Sequence, residues 1–369
     1  MTPPPPLRRQ FQRYVLSLQY NGQLFSGSSG HPSTKGACRA RHPSVQESVE
    51  AALTQFASAA NIRDVQFSSR TDAGVHALGN TLHVEIERRR RKTLESLSPH
   101  PAAVVQRALN STLANKGIGI TSASTVPSSF HARFDAKHRT YMYRLLVLPK
   151  ASSGWRCCLF EQDKSWIMSP RYSNYLNVEL MRAAALPLLG RHDFSSFRNS
   201  GCQANSAVRT LDVLDIRERR WSDVSLPPDL TGTEFTPFDF FQSSTMGLNG
   251  YIPGSSGAVD TSSGGGGAVK GDPTTDVFAH TNSLSRIEDL EVQEIIVTVR
   301  ARSFLYNQVR NLVGFLVNQG DSRVRAVDTK PDDIANVGSA SRELLNKMDR
   351  NFAPPKAPAR GLYLTHVEY

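Results

Sequence analysis

The stretch RYVLSLQY, at residues 13–20, alternates along its length in a way that predicts a β-strand with one buried face. The next periodic stretch begins with SVQE, where Ser44 and Glu47 have the spacing of a helical capping box. Further elements follow in the order strand, strand, helix and strand, at residues 65–69, 82–86, 104–117 and 118–126. This part of the chain therefore predicts the order β-α-β-β-α-β.

The second part of the chain repeats this order. Its predicted elements are a strand, a helix, two strands, a helix and a strand, at residues 141–147, 178–189, 207–217, 291–300, 304–320 and 361–368. Two such units predict an α+β protein made of two ferredoxin-like halves, at residues 13–126 and 127–369. If their sheets join edge to edge, they form one continuous, mainly antiparallel sheet with helices on one face and a long trough.

Two segments fall outside this pattern. Residues 1–12 are basic and proline-rich, which predicts a disordered tail. Their charge is that of a mitochondrial presequence, and a basic RNA-contacting tail explains it equally well. Residues 222–285 are rich in Ser, Thr, Pro and Gly and predict a low-complexity insert within the second half. The four phenylalanines at 235, 238, 240 and 241 form a small surface cluster there or, less often, a docking motif.

The charge balance favours a polyanionic partner. The 369 residues include 43 Lys and Arg against 33 Asp and Glu, a net charge of +10. Such a protein most often binds nucleic acid or an anionic membrane surface. No run of 18 apolar residues is present, which excludes a transmembrane helix, and no secretory signal is predicted. The RRRRK run at residues 88–92 is either a solvated loop or a phosphate contact.

The four cysteines predict neither a zinc site nor a disulfide framework. Cys157 and Cys158 are adjacent, and no C-x-x-C pair occurs. Reduced thiols fit a mitochondrial or cytoplasmic protein, and the sequence does not decide between these two compartments.

The stretch SSRTDAGVHA, at residues 68–77, is the most unusual segment, because Arg, Thr, Asp and His side chains that can take part in catalysis or binding lie close together in it. It lies in the predicted turn between the middle strands of the first half. From the residues alone, Asp72 could be a nucleophile, a base, a metal ligand or, most often, a turn former. His76 alone is more often a structural hydrogen-bonding residue. No further ligands stand at metal-binding spacing, so no metal is predicted.

Residues 69–77 resemble the signature of the tRNA pseudouridine synthase A family. Other segments resemble family motifs in the same order, at residues 20–27, 44–47, 130–134, 139–144, 192–197, 208–211, 304–311 and 357–364. The resemblance covers about 13–217 and 290–369. The Ser68-Ser69 form of the signature is most similar to the animal tRNA pseudouridine synthase-like branch.

The resemblance implies two ferredoxin-like halves and an isomerase that converts uridine to pseudouridine in tRNA, without metal or organic cofactor. It implies that Asp72 is the nucleophile, attacking either the sugar C1′ or the base C6. Arg310 matches the basic partner of this carboxylate, which would keep it ionised and lower its pKa. Tyr141 matches the tyrosine that stacks on the target base. We expect Asp72 and Arg310 to form an ion pair at the floor of the trough.

The remaining predicted site residues bind RNA. Arg70 is the candidate wedge that replaces the target base in the stack. Lys137 and Arg139, together with His138 and Arg144, are expected to contact phosphates around Tyr141. His76, near the end of the signature, is included among the substrate-binding residues. The expected partner is the anticodon stem-loop region of tRNA, with a homodimer possible and no membrane involved.

The sequence departs from the family in one place. The family often has Phe-x-Gly-Trp-Gln where this chain has FSGSS at residues 25–29, which puts substrate choice in doubt more than catalysis. The first alternative function is a non-catalytic RNA-binding or ribosome-assembly factor on the same fold. The second is a membrane-surface protein, which lacks support because no amphipathic apolar helix stands near the basic tail. The presence of Asp72, Tyr141 and Arg310 together favours the enzyme.

Overall fold

The computed structural model describes residues 9–29, 42–89, 97–148, 161–168, 176–221, 292–321 and 331–369. Several predicted features lie outside these residues: most of the proline-rich tail, Arg90 to Lys92 of the basic run, three of the cysteines, and the 222–285 insert with its phenylalanines.

The first half has the predicted order of elements. It contains β1 (Phe11–Tyr20), α1 (Val45–Ala57), β2 (Ile62–Phe67), β3 (His76–Glu87), α2 (Ala102–Leu113) and β4 (Ile118–Val126). β1 begins two residues before the predicted boundary, because Phe11 and Gln12 already pair with Glu87 and Ile86 of β3. β2 begins and ends earlier than the predicted strand at 65–69.

The second half contains the predicted elements and three more. Its elements are β5 (His138–Val147), β6 (Trp166–Met168), α3 (Val178–Ala185), β7 (Gly190–Asp193), β8 (Val208–Trp221), β9 (Val292–Ala301), α4 (Gln308–Gly320), α5 (Pro331–Lys347) and β10 (Leu362–Glu368). Sequence reasoning missed β6, β7 and α5. β6 and β7 have three and four residues, too few for a period to show. α5 is a largely polar helix with a sparse apolar stripe.

The two halves share one ten-stranded sheet, in the order β4-β1-β3-β10-β5-β9-β8-β7, with β2 paired to β3 and β6 paired to β5. The junction is at β3. Its later residues pair with β2, whereas His76 and Ala77 pair in parallel with Tyr363 and Leu364 of β10. All other described pairs except β5–β6 are antiparallel. The predicted continuous, mainly antiparallel sheet is confirmed.

The hydrophobic core lies between one face of this sheet and the helices. Tyr14, Leu16 and Leu18 alternate along β1 into a single buried cluster that also contains residues from all five helices. Tyr141 and Tyr143 of β5 belong to the same cluster. Met142, between them, belongs to a separate small cluster, as expected for the opposite face of a strand.

The start of α1 fixes the segment that later supports the site. Ser44 and Glu47 form the predicted capping box, with each side chain accepting a hydrogen bond from the other's backbone N–H. The next two N–H groups, of Val45 and Gln46, donate to the carbonyls of Gly27 and Ser28. The loop at 27–28 is therefore held on the helix N-terminus, beside the turn that carries Asp72.

Candidate active site

Ser28 holds the turn between β2 and β3 in place through hydrogen bonds. The Thr71 N–H donates to Ser28 Oγ at 2.7 Å, and the Ser28 N–H donates to the Thr71 carbonyl at 3.0 Å. The Thr71 hydroxyl also bonds the Tyr20 hydroxyl at 2.8 Å. Gly22 lets the turn approach closely, since a Cβ there would lie 2.0 Å from the Val75 carbonyl oxygen. These contacts fix the backbone on either side of Asp72.

Asp72 meets Arg310 across the two halves. Arg310 Nη1 lies 3.6 Å from Asp72 Oδ2, with the side chains 11% and 30% exposed. The guanidinium is oriented by two further acceptors: Nε donates to the Ala357 carbonyl at 2.8 Å, and Nη1 donates to Asn307 Oδ1 at 2.9 Å. The predicted ion pair is thus present, with one partner from the β2–β3 turn and the other from α4.

Burial dominates the electrostatics of Asp72. Desolvation raises the pKa of its carboxyl above the ordinary value, and this effect outweighs the lowering by Arg310 and Lys356. The expectation that Arg310 leaves Asp72 with a lowered pKa is therefore wrong in its net direction. The positive neighbours limit the rise and so keep the ionised form accessible.

Tyr141 stands beside this pair in the same cleft. Its hydroxyl shares a 3.1 Å hydrogen bond with Ser69 Oγ, and its ring meets Phe304 edge-on at 5.1 Å between centroids. Burial raises the pKa of the hydroxyl, so Tyr141 is a neutral phenol near pH 7. A buried ring with one polar tip in a cleft suits contact with a base.

The two halves enclose a cleft of about 1200 Å³ around Asp72. Among the described residues that line it, six are arginines and only Asp72 is a carboxylate; the arginines are Arg70, Arg133, Arg139, Arg209, Arg302 and Arg310. Arg70 is exposed there, two positions before Asp72, where the predicted wedge would stand. Such an excess of positive charge attracts a polyanion.

Arg139 has a different place from the predicted one. It is buried, and its two terminal nitrogens donate to four backbone carbonyls: those of Ser68, Arg133, Ala136 and Arg302. These carbonyls belong to three segments that form the cleft. Because these donors are used internally, Arg139 cross-links the cleft walls, and this geometry does not support the predicted phosphate contact.

His76 is also structural. Its Nδ1 accepts the Gly22 N–H at 3.2 Å, its Nε2 bonds the Asp163 carbonyl at 2.8 Å, and its ring stacks on Tyr363 at 4.6 Å. Burial lowers its pKa, so the ring is neutral, with the proton on Nε2. Both ring nitrogens hold the start of β3 in place, so these contacts give His76 a structural role, and its contact with substrate stays a prediction.

The basic residues around β5 do not gather at the cleft. Arg144 is three residues from Tyr141, which places it on the opposite face of the strand, where it pairs with Glu294 and Glu161 at 2.7 and 2.9 Å. Lys137 is exposed but is not among the residues that line the cleft. His138 lies near Asp212 and Glu368. The predicted phosphate cluster around Tyr141 is therefore not assembled by these residues.

Arg139→Met is expected to lower the free energy of unfolding by roughly 2–4 kcal/mol, since it leaves buried carbonyls without donors. Arg133→Met is the matched control, because that side chain is exposed in the same cleft and its change should leave stability unaltered. Urea unfolding of both variants measures this. Equal unfolding of Arg139→Met and the parent would contradict the cross-linking role.

Sequence reasoning missed two residues near Asp72. Ser28 lies in the FSGSS segment at residues 25–29, where the sequence departs from the family pattern, and this departure could have drawn attention to it. Its contact with Thr71, however, exists only in the folded chain. Lys356 lies close enough to Asp72 for each to shift the other's pKa. The described residues contain no group of three or more His, Cys, Asp or Glu arranged to hold a metal ion.

An arginine-lined cleft in which Asp72 is the one carboxylate among the described lining residues suits a polyanionic ligand and presents a potential nucleophile to it. The sequence model of a family described as tRNA pseudouridine synthase matches residues 19–135 and 270–369. The tRNA pseudouridine synthase A of Roseobacter denitrificans is 30% identical over 357 residues, covering 97% of this chain and 95% of the relative. That of Paracoccus denitrificans is 31% identical over 361 residues, covering 97% and 96%. The chain belongs to the tRNA pseudouridine synthase family, whose members are isomerases.

Proposed function

We propose that this chain isomerises a uridine to pseudouridine in the anticodon stem-loop region of tRNA. Asp72 is the nucleophile, Arg310 positions it, and Tyr141 stacks on the target base. The observation that carries the proposal is the isolation of Asp72 as the one carboxylate among the described residues of an arginine-lined cleft, 3.6 Å from Arg310. Family membership supplies the reaction class.

The chemistry needs one carboxylate and no redox partner. The Asp72 carboxylate adds to C1′ of the ribose or to C6 of the base, and the N1–C1′ bond breaks. The base then turns and C5 bonds to C1′. The bond between Asp72 and the substrate carbon breaks and the carboxylate is regenerated, while the C5 proton leaves and N1 gains a proton, so that atoms and electrons balance. The raised pKa of Asp72 leaves a less stabilised and more reactive carboxylate than a surface aspartate.

The target uridine must leave its stack to reach Asp72. Unstacking costs a few kcal/mol, which a side chain that fills the vacated space can offset. Arg70 is exposed in the cleft and has no fixed partner among its described contacts, which supports its role as that wedge.

The test is a map of pseudouridine in tRNA transcripts incubated with the purified chain. We expect modification in the anticodon arm, both in whole tRNA and in the isolated arm. Modification confined to another arm would contradict the proposed region, and its absence from all RNA tested would contradict the proposed activity. RNA binding without turnover would favour the alternative, a non-catalytic RNA-binding or ribosome-assembly factor.

Three finer assignments stay predictions. A homodimer follows only from the family resemblance, and membership of the animal tRNA pseudouridine synthase-like branch follows only from the Ser68-Ser69 form of the signature. A mitochondrial or a cytoplasmic location is equally consistent with the basic tail. Within the described part of the chain, no helix is long and apolar enough to cross a membrane.

RNA affinity is expected to fall steeply with salt. Each phosphate contact contributes roughly −0.7 to −0.9 to the slope of log K against log salt, so the two exposed arginines of the cleft other than the wedge Arg70, which are Arg133 and Arg302, predict a slope of about −1.4 or steeper. Arg133→Gln should make the slope less negative by the contribution of one contact. Titration of labelled tRNA at several salt concentrations measures this. A flat salt response would contradict the cleft as the RNA site.

A further inference from the structure

Two aromatic side chains are exposed at the cleft. Phe134 is 69% exposed and Tyr306 is 46% exposed, and both line the cleft. The other large apolar side chains that are exposed among the described residues, Leu24, Leu186, Met348 and Phe352, lie elsewhere. Single exposed apolar residues are common on proteins, so exposure alone carries no weight. What requires explanation is that two rings stand in the same arginine-lined cleft as Asp72.

Both rings are held on fixed backbone. The N–H groups of Arg133 and Phe134 are both directed at His131 Nδ1, and the Phe134 ring packs on the His131 ring at 4.3 Å. The Tyr306 carbonyl accepts the Asn199 N–H at 3.2 Å. Tyr306 also directly precedes Asn307, the residue that orients Arg310. The backbone that carries each ring is therefore fixed in advance, which reduces the conformational entropy lost on binding.

The buried guanidinium of Arg139 connects the two ring-bearing segments. It donates to the carbonyl of Arg133, next to Phe134, and to that of Arg302, four residues before Tyr306. Arg133 and Arg302 themselves are exposed in the cleft. Each segment thus presents one aromatic ring together with one arginine, the pairing that proteins use to stack a base and contact its phosphate.

We propose that Phe134 and Tyr306 stack on the unpaired bases that flank the target uridine. This inference rests on the proposed function and names the side chains that hold the neighbouring nucleotides once the uridine is extruded. Stacking accepts any base, because every base has a π-face, so these residues provide affinity for an opened loop and not for one sequence. A protein partner is disfavoured because the surrounding charge is almost entirely arginine.

The test compares leucine variants, which keep apolar volume but remove the π-face. Phe134→Leu and Tyr306→Leu are each expected to weaken binding of an anticodon stem-loop RNA by about 5- to 150-fold. Phe134→Tyr and Tyr306→Phe should bind within about threefold of the parent, since both keep the ring. Phe352→Leu is the matched control, an exposed ring away from the cleft, and should change nothing. Melting temperatures should stay unchanged throughout.

Abasic nucleotides identify the bases involved. Removing the base on the 5′ or the 3′ side of the target uridine should weaken binding to the parent, and the matching leucine substitution should then add no further loss. Leucine variants that bind within twofold of the parent, or losses that add fully to the abasic losses, would overturn the inference. A parent protein that binds RNA but forms no pseudouridine would contradict the proposed function. The RNA affinities of the leucine variants would still test the stacking inference.

Discussion

Asp72→Asn is expected to reduce pseudouridine formation by at least about 10⁴-fold, the scale typical of losing a nucleophile. The amide keeps the shape of the side chain but cannot add to carbon as a carboxylate does. The Kd for tRNA should stay within about threefold, because the cleft keeps all six of its arginines. Single-turnover assays at saturating enzyme measure the rate, and filter binding measures the affinity.

The same variant should not be destabilised at pH 7. Burial raises the pKa of Asp72 in the folded state, so the folded protein binds this proton more tightly than the unfolded chain. This tighter proton binding stabilises the folded protein at pH values below the pKa of Asp72 in the unfolded chain. The stabilisation is lost as the pH rises through the pKa of Asp72 in the folded protein. At pH 7 the charge therefore costs stability, and a neutral Asn removes that cost. Appreciable turnover, or a large fall in urea stability, would contradict this account of Asp72.

Arg310→Met is expected to lower the rate by about 10²- to 10³-fold and to move the acid limb of the pH–rate profile to higher pH. Catalysis requires ionised Asp72, and the loss of the positive partner raises the pKa of that carboxyl further. Stability should also fall by roughly 2–4 kcal/mol, because the Ala357 carbonyl and Asn307 lose their donor.

Arg310→Lys separates the two roles of this residue. It keeps the charge but not the forked donors, so the acid limb should return toward the parent position while stability is restored only in part. Rates measured from acid to neutral pH on all three proteins make the comparison. An acid limb that does not move in Arg310→Met would show that Arg310 does not act on Asp72.

Local patterns predicted the elements that position the site. The alternation of β1 and the Ser44–Glu47 capping box are properties of short segments, and both are found in the structure. The long signature around Asp72 located the turn, and a second motif located Arg310. Their 3.6 Å meeting followed from joining the two halves edge to edge.

Roles that depend on tertiary surroundings could not be predicted in this way. Arg139 looked like a phosphate contact because two of its four carbonyl partners, those of Ser68 and Arg302, come from segments distant in sequence. Likewise the pKa of Asp72 depends on how far folding removes water from it. Arg144 is different, because the two-residue period of a strand already places it opposite Tyr141.

The most direct test of the central claim is tritium release from tRNA that carries [5-³H]uridine, measured with the parent and Asp72→Asn at equal RNA occupancy. Formation of the C5–C1′ bond expels the hydrogen on C5, so release reports the isomerisation itself. The account predicts release by the parent and none above background by Asp72→Asn. Equal release by both proteins, or none by a parent protein that binds the RNA, would contradict it.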